Sequence, residues 1–210
     1  MATFAPAGAS LPPGGLNFLL LGCARDPDAP ETRALARAIA LTWGWPLGPA
    51  SGVLGLPETD SRALFDQHFP GALALLTGVH ALGAPIASDP RIDEFADLAD
   101  LLLGHRKDQG AGGAWIARAV AGGCMGDNHL WEDLGLPSRA SLSALLKAHF
   151  PTLVARNTHN LRWKRFFYRQ LCQRAEISLC KAPSCGVCSD YAACFGGDED
   201  HHLPTLRSLG

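Results

Sequence analysis

Apolar residues recur along most of this chain at intervals of three and four, the spacing of one face of a helix. Pro30 opens a segment over residues 30–43, with Leu35 and Ile39 a turn apart and Gly44 as a stop. Thr59 or Asp60 is the expected cap of a helix that runs to Phe69, ahead of Pro70. Ser88 or Asp89 precedes Pro90, after which Ile92, Phe95, Leu98, Leu101 and Leu102 form an apolar stripe. Residues 115–120 read as a short apolar helix between glycine pairs, and Leu130, Trp131 and Leu134 follow. Ser138 or Ser141 starts a helix to Phe150, with Leu142, Leu145 and Leu146 inward, and Pro151 breaks it. A last long helix is expected over residues 153–174. Alternating β-branched runs are scarce, so the chain reads as all-α: a compact helical domain with a C-terminal cysteine-rich loop.

The pattern carries an echo. Leu54-Gly55-Leu56-Pro57 precedes His68-Phe69-Pro70, and Leu134-Gly135-Leu136-Pro137 precedes His149-Phe150-Pro151. Two copies point to a duplicated helical unit rather than a solenoid, which needs about three or more. The histidines read as helix terminators, since an imidazole near a helix C-terminus suits the dipole.

Composition narrows the class. The chain has 210 residues, 47% of them hydrophobic and 18% charged, with a net charge of −2. That supports one domain with a real core and offers no basic excess for nucleic acid or a membrane surface. No apolar run approaches the roughly 18 residues of a spanning helix. The expected organisation is a disordered lead over 1–15, a helical body over 16–178, a metal-cluster loop over 179–196 and a flexible tail over 197–210. A cytoplasmic location is expected, because residues 1–15 lack a charged start and a signal-type apolar core.

Four of the seven cysteines crowd together as Cys180-x4-Cys185-x2-Cys188-x5-Cys194. In a reducing compartment, clustered thiols bind metal more often than they form disulfides. Iron–sulfur clusters take thiolates from several directions, and the turn-rich spacers containing Pro183 and Gly186 let one segment wrap a cluster. Structural zinc is the chemical rival, but it usually pairs two C-x2-4-C knuckles, and only Cys185 and Cys188 form one. The stretch before the loop places Arg162, Arg165 and Arg169 on one narrow helical arc, with Cys172 beside it. Trp163, Phe166, Phe167 and Leu171 fill much of the remainder and read as core. The arginines either pair with carboxylates or form an oxyanion or partner face; planar guanidinium forks suit oxyanions such as molybdate.

Three blocks resemble the NifQ family of nitrogen-fixation proteins: residues 129–137, His-Leu-Trp-Glu-Asp-Leu-Gly-Leu-Pro; Phe150-Pro151, Asn157 and the run from Arg162 to Cys172; and the cysteine motif through Phe195-Gly196. The resemblance implies an iron–sulfur cluster, [4Fe-4S] or [3Fe-4S], held by Cys180, Cys185, Cys188 and Cys194. It implies that such a cluster takes up molybdenum, as molybdate or in reduced form, and passes it into assembly of the iron–molybdenum cofactor of nitrogenase. The implied partners are the scaffold NifEN and the iron protein NifH, and the role is that of a metal donor rather than an enzyme. Soft sulfide would suit reduced molybdenum better than oxygen ligands do.

Cys124 in its glycine-rich setting, His129 and Cys172 are secondary metal-ligand candidates beside the bland reading of small core or capping residues. Two alternatives stand against the donor reading. An all-α iron–sulfur DNA glycosylase has a comparable cysteine loop, but with a longer first spacer, and this chain lacks the Leu-Pro-x-Val-Gly hairpin and has only four lysines for phosphates. A structural zinc-binding interaction module is the other.

Overall fold

The computed structural model describes residues 12, 14–47, 52–76 and 91–174, and within them it is built from helices with no strand. The helices are α1 (Gly15–Cys23), α2 (Pro30–Leu41), α3 (Glu58–His68), α4 (Ala72–Leu76), α5 (Arg91–His105), α6 (Ala111–Cys124), α7 (Leu130–Asp133), α8 (Arg139–His149), α9 (Pro151–Val154) and α10 (Trp163–Arg174), with a 3-10 turn at Val53–Gly55. The all-α expectation holds. The cysteine segment, the tail, most of the lead and residues 88–90 lie outside the described residues. Gly15, placed in the lead by the sequence pattern, is instead the first residue of α1.

The core is one apolar cluster. Helix α6 is its axis, packed most extensively on α2 and α5. Its face of Trp115, Ile116, Ala119 and Val120 is buried, as are Leu35 and Ile39 of α2 and Phe95, Leu98, Leu101 and Leu102 of α5. The glycine pairs expected to bound a short helix lie inside α6. Their role is close approach rather than termination. A Cβ on Gly122 would meet Ala38 at 3.4 Å and Leu54 at 3.3 Å, and one on Gly123 would meet Leu134 at 2.6 Å. Packing against neighbours thus offsets the roughly 1 kcal/mol that each glycine costs a helix relative to alanine.

Two further boundaries differ from the pattern. Helix α3 starts at Glu58 directly after Pro57, so Glu58 and Asp60 occupy its first turn, where the dipole favours acids. The expected long final helix is interrupted between α9 and α10. Asn157 closes a tight loop there: its Nδ2 donates to the Leu161 carbonyl (3.0 Å), and the Leu161 N–H donates to its Oδ1 (2.8 Å). Asn160 takes a left-handed φ of 51°, a conformation asparagine tolerates better than most residues. This local hydrogen bonding competes with helix and wins.

The echo is a structural duplication. Helices α3 and α8 each follow a Leu-Gly-Leu-Pro turn whose glycine has positive φ, 66° at Gly55 and 63° at Gly135. Each ends at its histidine, followed by a fully buried phenylalanine with near-identical backbone angles, −131°/60° at Phe69 and −133°/51° at Phe150. The repeat extends further upstream than those triplets. Leu35-Ala-Arg-Ala-Ile-Ala40 in α2 matches Ile116-Ala-Arg-Ala-Val-Ala121 in α6. Ahead of each stands an aspartate that accepts backbone N–H groups: Asp26 from Asp28 and Ala29, Asp108 from Gly110 and, in the first turn of α6, Gly113. The residue before it donates its N–H to the terminating histidine carbonyl, Arg25 to His68 (3.2 Å) and Lys107 to His149 (2.7 Å). The halves interlock through their paired arginines. Arg118 of α6 donates to the Leu54 carbonyl (3.1 Å) beside Gly55, and Arg37 of α2 lies over Gly135.

Candidate functional site

Helix α10 leads into the cysteine segment, and its seating defines the site. Trp163, Phe166 and Phe167 stack as a triad with ring centroids 5.8–6.0 Å apart, and the Trp163 indole donates to Ser143 of α8 at 3.1 Å. The Tyr168 hydroxyl donates to Glu94 of α5 at 2.6 Å. The aromatic face is core, as its spacing predicts.

A buried ion pair pins the start of the helix. Lys164 Nζ lies 2.7 Å from Asp133 Oδ2 and donates to the Gly126 carbonyl at 2.7 Å. Asp133 is fully buried and accepts two more hydrogen bonds, from the Asn128 N–H and Nδ2, each at 3.0 Å. Gly126 lies so close to that carboxylate that a side chain there would collide with it. The loop Cys124–Asn128, helix α7 and α10 are therefore locked at one point. Neither Asp133 nor Lys164 was singled out from sequence. One signal was available: Lys164 falls on the arc of Trp163, Phe167 and Leu171, and a cation on an apolar face needs a buried partner.

Cys124 ends α6 beside this pair. It is fully buried, and burial pushes its thiol up to about 12; Lys164 opposes that push, while Asp133 and Glu94 add to it. A thiol so held stays protonated near neutrality and is a poor ligand without rearrangement. His129 is the N-cap of α7, and its backbone N–H donates to Glu132 at 2.9 Å. Cys172 is partly exposed on α10. The three secondary candidates do not gather, and among the described residues no set of three His, Cys, Asp or Glu side chains could hold a metal ion. Arg162 immediately precedes α10, and Arg165 and Arg169 lie on it; all three are partly exposed. Cys180, Cys185, Cys188 and Cys194 lie outside the described residues.

The family model of NifQ matches residues 34–196, which takes in most of the first repeat, all of the second and all four clustered cysteines. This chain belongs to the NifQ family. It is 39% identical to protein NifQ of Azotobacter vinelandii over 69% of this chain and 78% of that one. It is 41% identical to protein NifQ of Rhodobacter capsulatus over 72% and 81% respectively, and 38% identical to the NifQ homolog of Sinorhizobium fredii over 77% and 68%. No solved structure matches the chain. NifQ proteins are nitrogen-fixation accessory proteins implicated in molybdenum processing. No helix among the described residues is long and apolar enough to cross a membrane.

Proposed function

We propose that this NifQ chain holds an iron–sulfur cluster through Cys180, Cys185, Cys188 and Cys194, receives molybdenum there, and donates it toward the iron–molybdenum cofactor of nitrogenase, with NifEN and NifH as partners. The observation that carries this reading is the four-thiolate motif inside the family-matched span. The fit is one of donor chemistry: four soft thiolates in one short segment suit a [4Fe-4S] or [3Fe-4S] group. When bound, that group supplies sulfide, a soft donor for the molybdenum cargo. The chain's own share is positional. The Trp163 triad, the Lys164–Asp133 pair and the Tyr168–Glu94 hydrogen bond fix α10, the helix that precedes the cysteine segment in the sequence. Family membership sets aside the glycosylase alternative. A cytoplasmic location goes with this reading, since exposed clusters and free thiols suit a reducing compartment.

One anaerobic preparation tests it. Iron and acid-labile sulfide should be present, with broad absorption near about 400 nm from sulfide-to-iron charge transfer, a signature of such clusters. Cys185→Ala and Cys188→Ala should each abolish it. Zinc in place of iron and sulfide, with no colour, would overturn the reading in favour of a structural zinc module.

A further inference from the structure

Three helices end on one face of the body, and the last of them is the helix that precedes the cysteine segment in the sequence. Helix α5 ends at His105, α9 ends at Val154 just before Arg156, and α10 ends at Arg174. His105 Nδ1 lies 3.1 Å from Thr152 Oγ1. Arg174 reaches across to α5, with Nη2 3.7 Å from the position a Cβ would take on Gly104. Burial and then the charges of Arg156 and Arg174 hold the His105 imidazole below its usual pKa, so both guanidiniums act on the same ring. Cys180 lies six positions after Arg174, which keeps that cysteine within about 21 Å of it by chain length alone.

Cations at helix C-termini are ordinary, because the last carbonyls attract them. Here, however, neither the Arg156 nor the Arg174 side chain hydrogen-bonds a helix-end carbonyl, and neither pairs with a carboxylate among the described residues. Each guanidinium presents five N–H donors in a planar fork. Arg174 lies over the end of α5 beside His105, and Arg156 follows Thr152, the partner of that imidazole, by four residues; an anion seated beside the ring would offset the like charges gathered there. The half-buried imidazole and the Thr152 hydroxyl add neutral polar contacts beside the forks.

We propose that His105, Arg156, Arg174 and Thr152 form a docking site for a tetrahedral oxyanion of the molybdate, sulfate and phosphate class, at the root of the cysteine segment. Molybdate as the physiological member rests on the function proposed above; the anion site itself does not. It is also distinct from the arc of Arg162, Arg165 and Arg169, which the sequence pattern offers as one candidate for the same chemistry.

Equilibrium dialysis of the full chain against molybdate, in buffer free of sulfate and phosphate, tests the proposal. Saturable binding is expected, with sulfate competing. Arg156→Gln together with Arg174→Gln should weaken it at least about tenfold, given the strength of charge-assisted hydrogen bonds. Both residues are exposed, so the double variant should keep its helical circular dichroism. The His105 imidazole resonances should move on titration with molybdate in the parent chain and stay still in the double variant. Unchanged affinity in that variant overturns the proposal. So does a loss confined to Arg165→Gln with Arg169→Gln, and so does indifference to sulfate. Iron and sulfide measured on the same samples separate the two readings. A cluster-bearing chain with no molybdate affinity at this face defeats the anion site alone. A chain devoid of iron and sulfide that still binds molybdate here defeats the cluster reading alone.

Discussion

The two repeats share a backbone plan and part company at the positions that carry charge. Both keep the aspartate ahead of the helix, the small-residue helix with its arginine, the positive-φ glycine and the buried phenylalanine after the terminal histidine. They differ after the central helix. The first repeat continues through Trp43 and Trp45 and carries Val53 ahead of its Leu-Gly-Leu-Pro turn. The second has Cys124, Gly126, Asn128 and, in the place of Val53, the buried Asp133. The following long helices diverge too. Helix α5 exposes Asp93, Asp97 and Asp100, while α10 carries Arg165 and Arg169 at its partly exposed edge, with Arg162 just ahead of it. What the halves hold in common builds the body. What only the second half has ties that body to α10 and the cysteines beyond it.

That contrast can be broken most severely at Lys164. Lys164→Met would leave the Asp133 carboxylate buried without its cation, and the expected loss is about 3–5 kcal/mol by chemical denaturation. Adding Asp133→Val, the residue type of the first repeat, should recover a good part of it. If the double variant is no better than the single, the pair is not coupled as the geometry requires.

The two turns that look alike should respond unequally. At Gly135 an added methyl meets only ordinary neighbours, so Gly135→Ala costs the left-handed conformation alone, about 1–2 kcal/mol. At Gly55 the methyl would also sit 2.5 Å from the Leu47 carbonyl, and Gly55→Ala should cost about 3 kcal/mol or more. Equal losses would mean that the two halves are interchangeable at this turn.

The terminal histidines offer a finer test through pH. Burial holds His68 below its ordinary value of 6.5, with Glu31 pulling the other way. A proton therefore binds the unfolded chain more readily than the folded one. This contribution is full above pH 6.5 and is lost as pH falls through the lower folded value. Glu31 acts in the same direction. Burial works against its charge, but the hydrogen bond with His149 and its own backbone N–H outweigh that, so its stabilisation is present above the ordinary value of 4.5 and fades below the folded one. Stability should thus fall in two stages on acidification. His105, also held below its ordinary value, shares the upper stage, so His68→Gln should shrink that stage and leave the lower, as read by denaturant midpoints across the range.

The smallest effect is expected at Cys124. It is buried and protonated, so Cys124→Ala should leave iron and sulfide content unchanged and lower stability by about 1 kcal/mol through the small cavity. Loss of iron would restore it as a ligand.

Much of this was readable before any fold. Helical periodicity marked α2, α5, α8 and the buried face of α10, because a spacing of three and four survives whatever the helix packs on. The Leu-Gly-Leu-Pro and His-Phe-Pro triplets marked the duplication, because positive-φ glycines and helix ends need particular residues wherever they occur. The glycines of α6 misled, because a glycine that ends a helix and one that admits a neighbour look the same in a string of letters. So did residues 155–162, where one asparagine's side-chain hydrogen bonds divide what periodicity would join.

The amino-acid order alone determined the family, the all-helical class and the repeat, since each depends on residue type and local spacing. Only the tertiary structure decided that Lys164 belongs to Asp133, that Cys124 is sealed in the core, and that His105, Arg156 and Arg174 share one face. Those groups come from helices far apart in the chain, and their meeting depends on how α6 seats its neighbours, which no local pattern encodes.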